Sequence, residues 1–581
     1  MGELLAGRRR GGRVGLLALT AALALAALAP GRASAATLKV CPSGCAFSTI
    51  AGALAVAANG DKIQIAAGNY AEGGLVITKN VSLLGAGADM TTISGGGGSV
   101  VTVASGVSAN IERVTISGGT HAGGGGIFNN GTLTLKKSTV SSNTSTGFPG
   151  GGGIFNAAGG KLALTKSTVS NNSAAGSGGG IGNHGKMTLT ESTVSTNTSI
   201  SGGGGIHNTF NGTLALNEST VSGNTTVTQG GGIATSGGTA TLTMSTVNGN
   251  TAGGGGGIAT GGGGTLTLMQ TTVKDNTAAS PGFSSGGGIL NNGGTVTLEK
   301  STVSGNTVSG IPGTESGGGI SNNGTLTLIE STVSGNTAEF GGGISNNGGT
   351  VTLEESTASG NTATNGQGGG IVNFGGSGTL TLTESTVSGN TAPGTGTGTG
   401  GGGISNGGTA TLEKSTVSGN TAASFGGGIV NSGGGELTLV ESTVSGNTAE
   451  NGGGIGNDGS LTLEGSTVSD NTASFAGGGI ASPGTLTLKK STITGNTADF
   501  GGGIINLFGP LTLEETTVSD NSADFDGGGI YNFVGTLTLT ESTVNDNTAG
   551  GDGGGIFNNG GTVILAASTV SGNTPDDCNG C

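Results

Sequence analysis

The sequence predicts an all-β protein: a single parallel β-helix of three sheets, about 17–20 coils long, that begins with a capping helix. Three observations lead to this prediction. A pattern of Gly-Gly-Ile, Gly-Thr-Leu-Thr-Leu and Ser-Thr-Val recurs 17 times, at intervals of 24 to 33 residues, and such a period is typical of a solenoid. Each copy contains short runs rich in Thr and Val, which are poor helix formers. Each copy also carries too few apolar residues to close a core alone, so copies must stack.

The copy at residues 125–144 shows how one coil is built. Alternation along a strand places Leu133 and Leu135 on one face and the intervening threonines on the other. In the next run Val140 faces the same way as Ser138. With Ile127, each coil therefore supplies one Ile, two Leu and one Val to a narrow aliphatic interior.

Asparagine recurs at two positions of the repeat. The Asn that closes the third run is present in all 17 copies, and the Asn two residues after the Ile is present in 14, with Thr235, Thr260 and Ser482 as the exceptions. Asn suits turns, and stacked identical Asn side chains can bond to each other as a ladder. We therefore predict structural ladders that include Asn129, Asn143, Asn156, Asn306, Asn322, Asn336, Asn346, Asn447 and Asn573.

The Gly-Gly-Gly-Ile runs, with Asn two positions on, resemble secreted bacterial right-handed parallel β-helix proteins of the pectin-lyase-like superfamily, in particular those with polymorphic-outer-membrane-protein-like repeats. The segments GDKIQIAAGNY, VSLLGAG and IERVTISGG resemble the sequences of the first coils of such proteins. The expected Ala of the GGAI hallmark is Gly in most copies, and the FxxN signature is mostly missing. The resemblance implies a right-handed β-helix but no particular activity.

Taken in order, the chain divides into five predicted parts. Residues 1–35 are interpreted as a signal peptide, because basic residues, an apolar stretch and Ala-Ser-Ala follow one another. Residues 36–60 form an N-terminal cap in which Phe47, Ile50, Leu54 and Ala57 share a helical face. Residues 61–116 form irregular opening coils, residues 117–575 the regular repeats, and residues 576–581 a C-terminal end that contains Cys.

All four cysteines lie near the chain ends: Cys41 and Cys45 at one, Cys578 and Cys581 at the other. Two local disulfides fit an exported protein better than a shared zinc site, which would require both ends of a long solenoid to meet. With the signal removed, no segment is apolar enough to span a membrane as a helix. We expect a secreted or cell-surface protein.

Charge narrows the range of partners. The formal net charge is −14, and it becomes −18 once residues 1–35 are removed. Nucleic acid and anionic membranes bind clusters of Lys and Arg, so neither is an expected partner. Arg113 is the sole arginine of the processed chain, which also argues against a lyase that must bind an acidic sugar. No catalytic residue and no firm metal site are predicted.

Acidic residues are densest near the C-terminus. They include Asp499, Asp524, Asp526 and Asp552, and the first three fall at equivalent corners of successive coils. Oxygen ligands of this kind can bind calcium weakly, and paired carboxylates are what a glycoside hydrolase needs. A solvated acidic face is the simplest interpretation. Five phenylalanines, four or five residues before an Ile, are predicted to form partial stacks at the same corner: Phe340, Phe425, Phe475, Phe500 and Phe525.

Threonine at both outward positions of the second run forms a further array. It includes Thr295, Thr297, Thr325, Thr327, Thr350, Thr352, Thr379 and Thr381. Stacked about 4.7–4.9 Å apart, these residues make a flat face similar to those of ice-binding β-solenoids. Thr is also simply a good solvent-facing strand residue.

Three functions follow as hypotheses. The favoured one is a non-enzymatic adhesive or structural solenoid whose side faces bind a cell-surface glycan or another extracellular surface, without a cofactor. The first alternative is a carbohydrate-active β-helix enzyme, of the polysaccharide lyase or hydrolase type, that uses the C-terminal acids. The second is ice binding by the Thr face.

Overall fold

The computed structural model describes residues 35–209, 211–280, 284–310, 313, 315–395 and 400–581. The predicted signal peptide falls almost entirely on residues 1–34, outside the described residues. The described chain is an all-β parallel solenoid of about 20 turns, so the prediction of a right-handed parallel β-helix is confirmed.

Each regular coil except the last contributes one strand to each of four sheets. We name the sheets by their buried residues: the Ile sheet, the Leu sheet, the Val sheet and the Ala sheet. In the first regular coil these strands are Ile127–Asn129, Thr132–Lys136, Thr139–Ser141 and Thr144–Gly150. Every strand pairs in parallel with its counterpart one coil on, as Ile127 does with Ile154. Repetition of the sequence thus becomes repetition of the register.

The core is a tube enclosed by the Ile, Leu and Val sheets. One continuous cluster of buried side chains runs from Val40 to Ile556, and a regular coil supplies Ile, Leu, Leu and Val to it. The four residues predicted from the alternation, such as Ile127, Leu133, Leu135 and Val140, are all fully buried. Burial of an aliphatic side chain contributes roughly 1.5–3 kcal/mol, so stacking of coils is the main stabilising term.

The Ala sheet was not predicted and lies outside this tube. Its strands are often only two residues long, as in Thr251–Ala252, and the sheet holds 17 strands. Its alanines form small clusters separate from the main core, such as Ala392 with Ala422 and Ala449. The chain therefore leaves the tube after the Val sheet, forms this short strand, and returns through the glycine run to the next Ile. We call the edge where it returns the Ala–Ile corner.

The tight return of the backbone to the next Ile requires the glycine run. At Gly230 the backbone has φ +73°, and a Cβ there would collide with the carbonyl of Ile233. A Cβ at Gly231 would collide with the carbonyl of Gly256 one coil on. Only glycine allows both the left-handed conformation and this close approach.

The predicted asparagine ladders are present. At the turn after the Val sheet, Asn336 is fully buried, and its Nδ2 donates to Asn361 Oδ1 at 3.0 Å and to the Val303 carbonyl at 3.0 Å. The same Oδ1-to-Nδ2 pattern joins Asn143, Asn306 and Asn447 to their neighbours in the next coil. The ladder ends where Asn573 donates to the Asp577 carboxylate at 3.1 Å.

The second ladder follows the Ile sheet, and it is interrupted. Asn129 donates to Asn156 at 2.7 Å and Asn322 donates to Asn346 at 3.0 Å. Where Thr235 and Thr260 replace Asn, their buried hydroxyls have no partner among the described residues. A third ladder, unforeseen from the sequence, joins the serines of Ser-Thr-Val, since the backbone N–H of one donates to the hydroxyl of the next.

The ends of the tube are closed differently. The single helix among the described residues, Ile50–Val56, is shorter than predicted, begins after the N-cap Thr49, and buries Ile50 and Ala53 in the core. At the other end, the strand Cys578–Asn579 pairs with Ile556 and Phe557. Both local disulfides, Cys41–Cys45 and Cys578–Cys581, are formed. None of the described helices has the length and apolarity that a membrane crossing requires.

The strands of the irregular opening are Thr37–Val40, Lys62–Ile65, Gly68–Ala71, Leu75–Ile77, Val81–Leu84, Thr91–Ser94, Val101–Val103, Ser108–Glu112, Thr115–Ser117 and Thr120–Gly123. Further strands of the Ile sheet are Ile181–Asn183, Ile206–Asn208, Ile233–Ser236, Ile258–Gly261, Ile480–Ser482, Ile504–Asn506, Ile530–Phe533 and Ile556–Asn559. The relevant Ala-sheet strands are Thr225–Thr226, Thr251–Ala252, Thr472–Ala476, Thr497–Ala498, Ser522–Ala523 and Thr548–Ala549.

Candidate functional site at the Ala–Ile corner

The Thr face and the Asn ladders lie on the outer and inner sides of the coil, as the alternation of the strands predicts. The Thr face lies on the outside of the Leu sheet, in the strands Thr295–Glu299, Thr325–Ile329, Thr350–Glu354 and Thr379–Thr383. The strands are in register, so Thr325 pairs with Thr350 and Thr327 with Thr352. The predicted ladder asparagines, such as Asn129 and Asn336, lie inside the coil, where their side-chain amides donate to the asparagine of the next coil.

The acidic residues predicted as a calcium site lie at the Ala–Ile corner. Asp499 and Asp524 follow the in-register residues Ala498 and Ala523, so they are neighbours on successive coils. Asp526 accepts a hydrogen bond from the backbone N–H of Asp552 at 2.9 Å. Within the described residues no three His, Cys, Asp or Glu side chains are grouped to hold a metal ion. Weak calcium binding therefore stays a prediction.

Beside these acids, an aromatic groove runs along the corner. We define it as the cavity of about 300 Å³ lined by Phe475, Ala476, Phe500, Ile505, Leu507, Tyr531 and Phe533. Its floor is the outer side of the Ile sheet, because Ile505 and Tyr531 are the residues between Ile and Asn in their strands. Its outer wall comes from the Ala-sheet side, where Phe475 and Phe500 stand.

The rings of the groove contact each other across coils. Phe500 lies 5.7 Å from Phe475 and is stacked on Phe525 at 5.1 Å, measured between ring centroids. It also meets Tyr531 edge to face at 6.0 Å. Phe475 and Phe525 remain about half exposed. The predicted stacking is therefore present for Phe475, Phe500 and Phe525, whereas Phe340 contacts Phe374 instead. The three stacked rings leave an apolar surface open to a ligand.

Small residues make room for the groove. In the coil that begins it, Ile-Ala-Ser replaces the usual Ile-x-Asn, so Ala481 is the outward residue and Ser482 interrupts the ladder. Asn457 donates to the Ser482 hydroxyl at 3.1 Å, and the Oδ1 of Asn506 is left without a partner among the described residues. The sequence signal for the site is thus the departure from the repeat at Ser482.

Carboxylates flank two phenylalanines of the corner in sequence, and we call these acids, with Asp552 one coil on, the rim of the groove, although none of them lines the cavity itself. Asp524 and Asp526 flank Phe525 in sequence, and Asp499 precedes Phe500. Asp524 is exposed, whereas Asp499 and Asp526 are partly buried. The hydrogen bond from the Asp552 backbone fixes one oxygen of Asp526. The corner therefore combines an apolar aromatic surface with several carboxylates on neighbouring coils.

Neither a protein-family model nor a curated protein sequence matches the chain. Among solved structures, the chain is similar to the pectin methylesterase PemA from Erwinia chrysanthemi, with 9% identity, 54% of this chain and 81% of that chain covered, and a TM-score of 0.19. It is also similar to a mutant of the PL6 family alginate lyase AlyGC, with 11% identity, 90% and 98% covered, and a TM-score of 0.28. A third likeness is to the catalytic domain of a GH87 alpha-1,3-glucanase, with 11% identity, 95% and 69% covered, and a TM-score of 0.15.

The parallel coils of the described residues are the fold that the resemblance to pectin-lyase-like proteins implied. One prediction is corrected. The sequence-based prediction was that the chain is not an enzyme, whereas the solved structures found are of a pectin methylesterase, an alginate lyase and a glucanase, so that prediction does not stand. At such low identities and TM-scores the activity itself must be argued from the residues of this chain.

Proposed function

We propose that this protein is a carbohydrate-active β-helix that binds an uncharged extracellular polysaccharide along the aromatic groove and hydrolyses it with the carboxylates of the rim. The observation that carries the proposal is the coincidence of rings and acids at one corner. Sugar rings present apolar C–H faces and polar edges, so a binding site for them needs flat apolar surface beside hydrogen-bonding groups.

The charge of the site favours a neutral substrate. The acids near the groove in sequence and coil position are Asp499, Asp524, Asp526 and Asp552, and no Lys or Arg lines the groove. A polymer of uronic acids would be repelled by these carboxylates, and a lyase acting on it would need a basic residue to bind the acid group. Hydrolysis of a neutral glycan needs only carboxyl groups in suitable positions.

The spacing of the coils suits that chemistry. Neighbouring strands lie about 4.7–4.9 Å apart, and the paired carboxyl groups of glycoside hydrolases are separated by about 5–9.5 Å. Side chains on the same or adjacent coils, such as Asp499 and Asp524, can span this range. One carboxylic acid would protonate the glycosidic oxygen as the bond breaks. The second would either attack the sugar carbon or activate the water that does.

The test is sugar release by the purified full chain from neutral polysaccharides (amylose, β-glucan, xylan and α-1,3-glucan), with pectin and alginate as charged comparisons. We expect reducing ends from at least one neutral polymer, and a loss of 10²-fold or more in Asp524→Asn, as for removal of an acid–base group. Asp275→Asn is the matched control, because it changes the same charge far from the groove, at a left-handed position (φ +55°) that Asn tolerates.

Two results would contradict the proposal. One is full activity in Asp524→Asn and in the corresponding variants of the other three acids. The other is release confined to pectin or alginate with formation of unsaturated products, which would indicate a lyase.

A second candidate function is ice binding by the Thr face. The observation that favours it is the unbroken register of paired outward threonines over seven consecutive coils, from Thr239 to Thr411. Together they form a flat, rigid lattice of hydroxyl and methyl groups. This candidate uses a different sheet from the groove, so the two functions can be separated by mutation.

A further inference from the structure

A second cavity lies on the same corner, about nine coils from the aromatic groove. It has a volume of about 330 Å³, and its lining includes Ser201, His207, Thr228, Ala234, Ser236 and Ala259. We call it the polar cavity. Its volume falls at the lower end of the range for small-molecule sites, roughly 300–1,000 Å³. At about 4.8 Å per coil, nine coils separate the two sites by about 43 Å.

The polar cavity is opened by the same departure from the repeat. Both of its central coils read Ile-Ala-Thr instead of Ile-x-Asn, at residues 233–235 and 258–260. The outward residues Ala234 and Ala259 form a small apolar floor, with His207 in the same column one coil before and Leu290 one coil after. Small side chains between two large ones leave the space that the ligand would fill.

The hydroxyl groups available to a ligand lie on the outer side of the strand. Ser236 is the next outward residue after Ala234, and Ser201 and Thr228 also line the cavity. Thr235 borders the cavity but occupies the inward ladder position and is 1% exposed, so its hydroxyl belongs to the interior.

The remaining polar groups of the cavity are all uncharged. The Nε2 of His207 lies 3.5 Å from the Ser236 hydroxyl, and Ser201, Thr228 and Gln229 add further hydroxyl and amide groups. Burial, and to a smaller extent the charge of His184, lowers the pKa of His207 to about 4. The imidazole is therefore neutral at physiological pH and offers one donor and one acceptor.

We infer that the polar cavity is a second carbohydrate-binding site, which takes one uncharged sugar residue with its C–H face on Ala234 and Ala259 and its hydroxyls on His207 and Ser236. A charged ligand would find no counter-charge here, and an apolar one would leave the hydroxyls unpaired. The choice of a sugar as ligand rests on the proposed function. The location and the polarity of the site do not.

The experiment follows the imidazole signals of the full chain by NMR while D-glucose, D-galactose, D-mannose or a disaccharide of glucose is added. The chain has only three histidines, His121, His184 and His207, so the signals can be assigned by single substitution. We expect a saturable shift of the His207 signals with at least one of these sugars.

Two variants define the outcome. Ala234→Phe fills the cavity, and it is tolerable because Phe128 and Phe155 occupy the same outward column. It should abolish the shift, which in this variant is followed on His207. His207→Phe keeps a ring but loses its hydrogen bonds, and it should weaken sugar affinity at least tenfold, as measured by calorimetry.

The inference is overturned if none of these sugars shifts His207, or if the shift persists in Ala234→Phe. Tyr531→Ala alters only the aromatic groove, so it should leave the His207 shift unchanged. If Tyr531→Ala and Asp524→Asn hydrolyse polysaccharide normally while His207 still responds to sugar, the proposed function fails and the second site stands. The opposite pattern would refute the second site alone.

Discussion

The polar cavity and the aromatic groove occupy the same corner of the coil but present opposite chemistry. Both begin where Ile-Ala-Thr or Ile-Ala-Ser replaces Ile-x-Asn, and both use the outer side of the Ile sheet as floor. One is lined by uncharged hydrogen-bonding groups, and the other by rings with carboxylates at the rim. Since the interior of the tube is nearly constant, the difference shows that the outward column and the Ala-sheet side decide which chemical groups a stretch of this solenoid presents.

The largest effect expected from any single change is on the ladder that supports both sites. Asn336→Leu removes the donor to the Val303 carbonyl and the acceptor of the Asn306 backbone N–H. The Asn306 side-chain amide also loses this acceptor but keeps its bond to the Val273 carbonyl. At roughly 1–3 kcal/mol for each buried group, we expect a loss of about 3–5 kcal/mol, read from the urea midpoint and from amide exchange in the flanking coils. Local exchange is needed because a solenoid need not unfold as one unit.

The control for that experiment is Thr235→Ala, at the interruption of the other ladder. Its hydroxyl has no partner among the described residues, so its removal should change stability by less than about 1 kcal/mol. An equal loss of unfolding free energy in Asn336→Leu and Thr235→Ala would contradict the view that intact ladder positions stabilise the backbone and that the interruptions do not.

A smaller effect is expected from pH, and it should be confined to the polar cavity. Because burial lowers the pKa of His207 to about 4, below its ordinary value of about 6.5, the unfolded chain binds a proton first as pH falls. Stability from this group is therefore complete above about pH 6.5 and decreases as pH falls through 4. NMR titration should give a midpoint near 4 for His207, with His184 the neighbouring titratable group.

The matched comparison is His207→Phe, in which amide exchange of the surrounding coils should lose this pH dependence between 6.5 and 4. A midpoint near 6.5 in the wild-type chain would mean that the imidazole is solvated. The cavity would then present a positive charge at mildly acidic pH, contrary to its description as an uncharged site.

The sequence predicted the tube well because every coil repeats the same physical requirement. Ile127, Leu133, Leu135 and Val140 recur with the alternation of strands, and Asn143 recurs because a buried turn must satisfy its amides. The Ala sheet was missed because two residues such as Thr251 and Ala252 give no periodic signal. The ladder exceptions at Thr235, Thr260 and Ser482 are visible in the sequence, but the cavities beside them depend on how distant coils cover the small Ala234 and Ala481, which no local pattern encodes.

The smallest effect on either site is expected from the Thr face, which lies on another sheet. Thr325→Lys with Thr350→Lys should change stability by about 0.5 kcal/mol or less, as is usual for exposed positions, because Lys161 and Lys186 already occupy the equivalent outward position in two coils. Sugar release and the His207 response should be unchanged.

If the face binds ice, this double variant should abolish thermal hysteresis, since two long charged side chains in adjacent coils would hold ordered water away from the array. The separation works in both directions: Tyr531→Ala should leave any hysteresis intact. Loss of sugar release in the lysine variant would contradict the proposal that sugar binds at the Ala–Ile corner and ice at the Leu sheet. It would mean that a ligand bound at the Ala–Ile corner also depends on the Leu sheet, and that the two sites compared here are not independent of the rest of the coil.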